Sequence, residues 1–158
     1  DITLSFGVRR VLLMTQTNSK RILQGSCHCG SVKFEVEADP AEGASRCNCS
    51  VCTKLGALGS IVKPSAFKLL TPESELGVYE WGAKISKRFF CKACGTHCFG
   101  RGHLAEVGGD FVSFSYNAVD GLEISELPVI HWDGRHNNWQ SGPRSEPYRI
   151  LTEPSSAA

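Results

Sequence analysis

The chain has 158 residues, 41% of them hydrophobic, and 17 Lys and Arg balance 16 Asp and Glu to leave a formal charge of +1. That length suits a single domain, the apolar content argues against wholesale disorder, and the balanced charge argues against a protein that tracks nucleic-acid phosphates. No apolar run approaches the roughly 20 residues of a membrane-spanning helix, so no membrane partner is expected.

Residues 1–20 read as a flexible N-terminal extension, 21–152 as one domain and 153–158 as a frayed tail. Met14 is the only methionine and a candidate native start. The apolar piece Val11–Met14 is too short for the core of a secretion signal. The expected compartment is therefore the reducing cytoplasm, where clustered cysteines favour metal over disulfides.

Ile22–Gly30 reads as extended, which would put Cys27 and Cys29 on one face, with Gly25 and Gly30 freeing the backbone beside them. Val32, Phe34 and Val36 alternate with Lys33, Glu35 and Glu37, a half-buried strand, and Asp39–Gly43 turns the chain. Thr53–Ser60 is too glycine-rich for more than a helical turn. Ile61–Lys63, Phe67–Leu70 and Val78–Trp81 read as short strands between Pro64, Pro72 and Gly82, and Ile85–Phe90 as a strand running into Cys91. Val112, Phe114 and Tyr116 mark another. Apolar residues nowhere hold a 3.6 period across a dozen positions, so the expected class is mainly β, with many short strands and loops.

Seven of the eight cysteines fall in three groups: Cys27-x-Cys29, Cys47-x-Cys49-x-x-Cys52 and Cys91-x-x-Cys94. Thiolates so spaced suit zinc. The first and third groups together make a closed four-sulfur site, and Gly95 suits the turn that would aim backbone N–H groups at sulfur. Cys47, Cys49 and Cys52 are left as three donors. With an exchangeable fourth ligand they would make a catalytic zinc; with Cys98, His97 or His28 as the fourth, a second structural one. Spacing alone leaves both open.

The runs Gly25-Ser26-Cys27-His28-Cys29-Gly30-Ser31-Val32-Lys33-Phe34, Cys47-Asn48-Cys49-Ser50-Val51-Cys52 and Phe90-Cys91-Lys92-Ala93-Cys94-Gly95-Thr96-His97 resemble the glutathione-dependent formaldehyde-activating enzyme family, which also includes centromere-protein-V-type domains. Asp133-Gly134-Arg135 and Asn138-Trp139 look like that family's closing segment. The resemblance implies several short coiled β-sheets of the Mss4-like kind and two zinc ions. Cys27, Cys29, Cys91 and Cys94 would hold a structural zinc, and Cys47, Cys49 and Cys52 a catalytic one. It also implies a carbon–sulfur lyase activity, the joining of glutathione and formaldehyde as S-(hydroxymethyl)glutathione. Cys98 falls outside the motif.

Zinc bound by three thiolates carries a net charge of −1, so nearby cations would strengthen it; Lys54 and Arg88 are the candidates. Glutathione brings two carboxylates, which call for positive groups and N–H donors. Lys54, Thr96 and His97 are the candidate substrate contacts. His28, His103, His131 and His136 read as surface or packing residues, Trp81, Trp132 and Trp139 as core, and Arg135 as a turn residue. The alternative to an enzyme is a non-catalytic, zinc-stabilised scaffold module; a lyase or hydrolase acting on another thiol is a third reading. Oligomeric state is not legible.

Overall fold

The computed structural model describes residues 19–149. The proposed start at Met14, nearly all of the expected N-terminal extension and the whole of the expected tail lie outside them. The described residues form ten strands: β1 Arg21–Ser26, β2 Lys33–Ala38, β3 Ala44–Cys47, β4 Gly59–Val62, β5 Phe67–Leu69, β6 Leu76–Tyr79, β7 Ser86–Cys91, β8 His97–Leu104, β9 Gly109–Ser115 and β10 Val129–Trp132. One short α-helix, α1 (Ser50–Leu55), joins them. The class is mainly β, as expected. No helix among the described residues is long and apolar enough to cross a membrane.

Three strands make a small sheet in the order β1-β2-β5, and seven make a larger one in the order β10-β3-β4-β9-β8-β7-β6. Every pairing is antiparallel except β10 with β3. The alternation in β2 faces the core as the sequence suggests: Phe34 and Val36 are fully buried, and Lys33 and Glu37 exposed. A chain of rings then ties the sheets together. Phe34 stacks on Phe67 at 5.3 Å, Phe67 meets Phe99 at 4.7 Å, and Phe99 stacks on Phe89 at 4.8 Å between centroids. The guanidinium of Arg101 lies 5.4 Å from both the Phe89 and Phe99 rings and pairs with Glu73, so a charged group covers the rim of this stack.

Four expectations need correction. β1 stops at Ser26, and Cys27 and Cys29 sit in the turn after it, closed by Gly30 N–H on Cys27 O at 3.0 Å; turn geometry, not strand alternation, gathers their sulfurs. Tyr116 leaves β9 for a 3₁₀ turn, Tyr116–Ala118, although its ring stays buried. Trp81 lies past the end of β6. None of the three tryptophans is core: Trp139 is 51% exposed and the other two are half-buried. Phenylalanine and valine fill the interior. Trp81 instead stacks flat on Tyr79 at 5.7 Å, and Trp132 and Trp139 meet each other at 6.1 Å.

β3, β8 and β10 were not expected. β8 hides behind Gly100 and Gly102, residues that weaken an isolated strand. Each is a glycine because a neighbour needs the space: a Cβ at Gly100 would lie 2.6 Å from Ser113 Oγ, and one at Gly102 would lie 2.5 Å from Phe111 Cζ. Pairing on both sides holds the strand in place of local propensity.

Candidate metal centres

Two turns build the first cluster. The Cys27–Gly30 turn has Gly30 at φ +79°, and the Cys91–Gly95 turn ends at Gly95, φ +76°, with Gly95 N–H on Cys91 O at 2.9 Å. Both glycines occupy the left-handed region that side chains disfavour. Cys27 and Cys29 sulfurs stand 3.5 Å apart and Cys29 and Cys91 sulfurs 3.7 Å, and the Cys27, Cys29, Cys91 and Cys94 sulfurs all lie within 4.8 Å of one another. Tetrahedral zinc with bonds of about 2.3 Å would space its sulfurs by about 3.8 Å, so the geometry is compatible with zinc.

Local donors favour thiolate at Cys29 and Cys94, whereas Cys91 is raised to about 11. Val32 N–H reaches Cys27 Sγ at 3.2 Å. The Thr96 hydroxyl, 3.2 Å from Cys94 Sγ, is the main cause that brings that thiol down to about 5, helped by the Thr96 backbone. Ser31 lowers Cys29 in the same way. Cys98 behaves oppositely. It is fully buried, its sulfur donates to Thr96 O at 3.5 Å, and burial followed by repulsion from Cys27 and Cys91 pushes it up to about 12.

The second cluster comes from one continuous stretch. β3 delivers Cys47, Cys49 caps α1, and Cys52 sits in its first turn. The helix ends after six residues because Gly56 turns left-handed, φ +59°, and returns its N–H to the Cys52 and Thr53 carbonyls. All three cysteines are half-buried, with sulfurs within 4.8 Å of one another. Cys47 is lowered to about 5, chiefly by a hydrogen bond from the Cys52 thiol, with backbone N–H groups of Cys49 and Gly134 assisting; Cys52, the partner in that bond and more deeply buried, is raised. Among the described residues neither Cys98 nor any imidazole or carboxylate joins this group.

The segment after β10 closes over it. Trp132 lies in register with Cys47, and Asn48 N–H bonds Trp132 O at 3.2 Å. Asn48 Nδ2 donates to Asp133 Oδ1 at 2.7 Å, and Asn48 Oδ1 accepts from Arg135 N–H at 2.8 Å. Asp133, only 5% exposed, also accepts from His136 Nδ1 at 2.8 Å and Asn138 Nδ2 at 3.4 Å, and the Asn48 bond above all holds its carboxyl below the usual range. Gly134 is wedged so tightly that a Cβ there would lie 2.5 Å from Cys47 Sγ and 2.8 Å from Trp139 Cη2. Asn48, Asp133 and Gly134 were given no site role from the sequence. The signals were an asparagine between two clustered cysteines and the resemblance of Asp133-Gly134-Arg135 to the family's closing segment.

The candidate contacts sit on different elements, Lys54 on α1, Thr96 just before β8 and His97 at its start. Lys54 is exposed in the last turn of α1. Thr96 serves the four-sulfur cluster through Cys94 and also accepts from His28 N–H at 3.4 Å. His97 opens β8 with its Nε2 buried and without a hydrogen-bond partner, and burial, then the Arg88 charge, lowers it to about 4. Arg88 stands on β7, four strands from β3, its guanidinium over Trp81 at 5.3 Å and hydrogen-bonded to Ser86 at 3.1 Å.

Residues 22–127 match the profile of the glutathione-dependent formaldehyde-activating enzyme family, a match that stops short of β10 and the closing segment. Two fungal relatives carry the provisional name glutathione-dependent formaldehyde-activating enzyme. One, from Emericella nidulans, is 31% identical over 105 residues, 61% of this chain and 52% of the relative. The other, from Penicillium rubens, is 35% identical over 80 residues, 48% of this chain and 41% of the relative. The chain thus spans about half the length, or less, of these curated relatives. A crystal structure of a Rhodobacter sphaeroides protein superimposes with a TM-score of 0.61 at 26% identity, covering 70% of this chain and 99% of that one. With two cysteine clusters able to hold metal ions, and a family match across most of its length, the chain belongs to the glutathione-dependent formaldehyde-activating enzyme family.

Proposed function

We propose that the chain is a zinc-dependent carbon–sulfur lyase-type enzyme of the S-(hydroxymethyl)glutathione synthase kind, with glutathione and formaldehyde as its substrates. In this reading Cys27, Cys29, Cys91 and Cys94 hold a structural zinc, and Cys47, Cys49 and Cys52 hold the catalytic one. The observation that carries it is the unequal donor count of the two clusters, four thiols against three. Cys98, the candidate fourth donor, is engaged with Thr96 beside the other cluster.

Zinc held by three protein donors supplies a position at which a substrate thiol is kept deprotonated or a carbonyl oxygen polarised. The chain's own part is to hold and wall that place. Asn48 anchors the loop between Cys47 and Cys49, Gly134 lets the closing segment approach to contact, and the exposed Trp139 indole forms a lip. Lys54 offers positive charge for a glutathione carboxylate. Thr96, a candidate substrate contact by sequence, bonds Cys94 of the four-sulfur cluster, and His97, the other, follows it at the start of β8. The names of the fungal relatives support the same substrate pair. Eight free cysteines suit a reducing compartment, the cytoplasm.

Calorimetric titration with glutathione, together with formaldehyde consumption above the uncatalysed rate, tests the reading. Saturable binding below millimolar glutathione and turnover that depends on bound zinc are expected. Absence of binding at millimolar ligand removes glutathione from the account, and absence of any turnover favours the scaffold.

A further inference from the structure

Two His–Asp pairs stand on the described surface, and they differ in one respect. In the His103–Asp110 pair, 2.6 Å apart, both side chains are open to water, at 72% and 75% exposure. In the His136–Asp133 pair, 2.8 Å apart, the imidazole is 58% exposed and the carboxylate side chain only 7%. A buried acid under an open imidazole is an oriented pair. The ionised carboxylate only accepts, so His136 Nδ1 must carry the proton of that bond and Nε2 is the nitrogen with a free lone pair. The carboxylate oxygen that holds the ring, Oδ1, also accepts from Asn48, the residue between two clustered thiols. The turn that carries His136 begins at Gly134, whose backbone lies against Cys47 Sγ.

We propose that His136, oriented by Asp133, is the proton-transfer group of the three-thiol site. The inference rests on the reaction proposed above and assigns it a residue. Joining a thiol to formaldehyde breaks the S–H bond, forms a bond from sulfur to the carbonyl carbon, opens the C=O π bond and leaves the oxygen needing a proton. The proton lost by sulfur equals the one gained by oxygen, so a single imidazole that accepts at Nε2 and gives back from Nε2 completes the cycle, and no oxidant or reductant enters. Asp133 is a positioning residue: it fixes the ring through Nδ1 and the cysteine loop through Asn48 with the same carboxylate.

The test compares His136→Gln, Asp133→Asn and, as a control from the exposed pair, His103→Gln, each as the metal-loaded protein with metal content measured. For His136→Gln we expect kcat about 100-fold lower, KM for glutathione within about twofold and zinc content unchanged. Asp133→Asn, which keeps the shape and loses the charge, should lower kcat about tenfold and shift the His136 ring resonances in nitrogen NMR. His103→Gln should match wild type. A His136→Gln variant turning over within about threefold of an active wild type overturns the proposal and leaves the proposed reaction standing. If wild type itself does not turn over, the proposed reaction fails first. Ring resonances of His136 that glutathione leaves unmoved then overturn the proton-transfer role as well.

Discussion

The two cysteine clusters are built on opposite plans. The four-sulfur cluster joins residues 62 positions apart, Cys29 and Cys91, buries two of its cysteines almost completely, and takes its supporting hydrogen bonds from its own turns. The three-sulfur cluster is one contiguous hexapeptide whose cysteines all stay half-buried, and its support comes from a segment 85 residues later. On the proposed reading, a long span anchored on two buried cysteines, with Cys29 at its exposed edge, is a staple. A short half-buried span, braced from a distance and one donor fewer, is a place where something can arrive.

That contrast breaks most visibly at the staple. Cys91→Ser should abolish cooperative thermal unfolding, because a structural zinc contributes about 10–16 kcal/mol in isolated fingers and a domain has about 5–15 kcal/mol in all. Circular dichroism melts check this, and a Cys91→Ser protein with the native midpoint would mean that the two clusters do not differ as described. Cys49→Ala is the opposite case. It should lose one zinc by atomic emission, keep its melting midpoint within a few degrees, and lose turnover by at least about 1,000-fold.

Gly134→Ala sharpens the comparison without replacing any of the clustered cysteines. Its methyl group would sit 2.5 Å from Cys47 Sγ, so the closing segment must move. Overpacking of this kind destabilises by about 1–3 kcal/mol, and the expected reading is a weakened zinc affinity at the three-sulfur cluster with the four-sulfur cluster intact, measured by competition with a chelator. The smallest effect is expected at His97. Burial and the Arg88 charge lower it to about 4, so the folded protein holds it neutral while the unfolded chain would protonate it near 6.5. Its contribution to stability is therefore complete above about pH 6.5 and lost as pH falls toward about 4. Proton NMR should show the His97 ring still neutral at pH 5; titration at an ordinary value would show that the imidazole is not shielded.

Much of this was legible beforehand where chemistry is local. Alternating Val32, Phe34 and Val36 announced β2, and three cysteine groups announced the clusters and their partition. β8 was illegible because its glycines answer to Phe111 and Ser113 on the neighbouring strand. The role of Asp133 was illegible because Asp-Gly reads as a turn whether or not a cysteine loop rests on it.

From the chain of residues alone came the class, the family and the grouping of the thiols, since spacing and alternation are carried by neighbours in sequence. Only the folded molecule decided that Cys98 stands with the four-sulfur cluster, that Thr96 supports Cys94, that Gly134 lies against Cys47, and that Asp133 holds Asn48 and His136. Those placements depend on which strands lie side by side, and pairing across 85 residues is set by the packing of the whole sheet, which no short stretch contains.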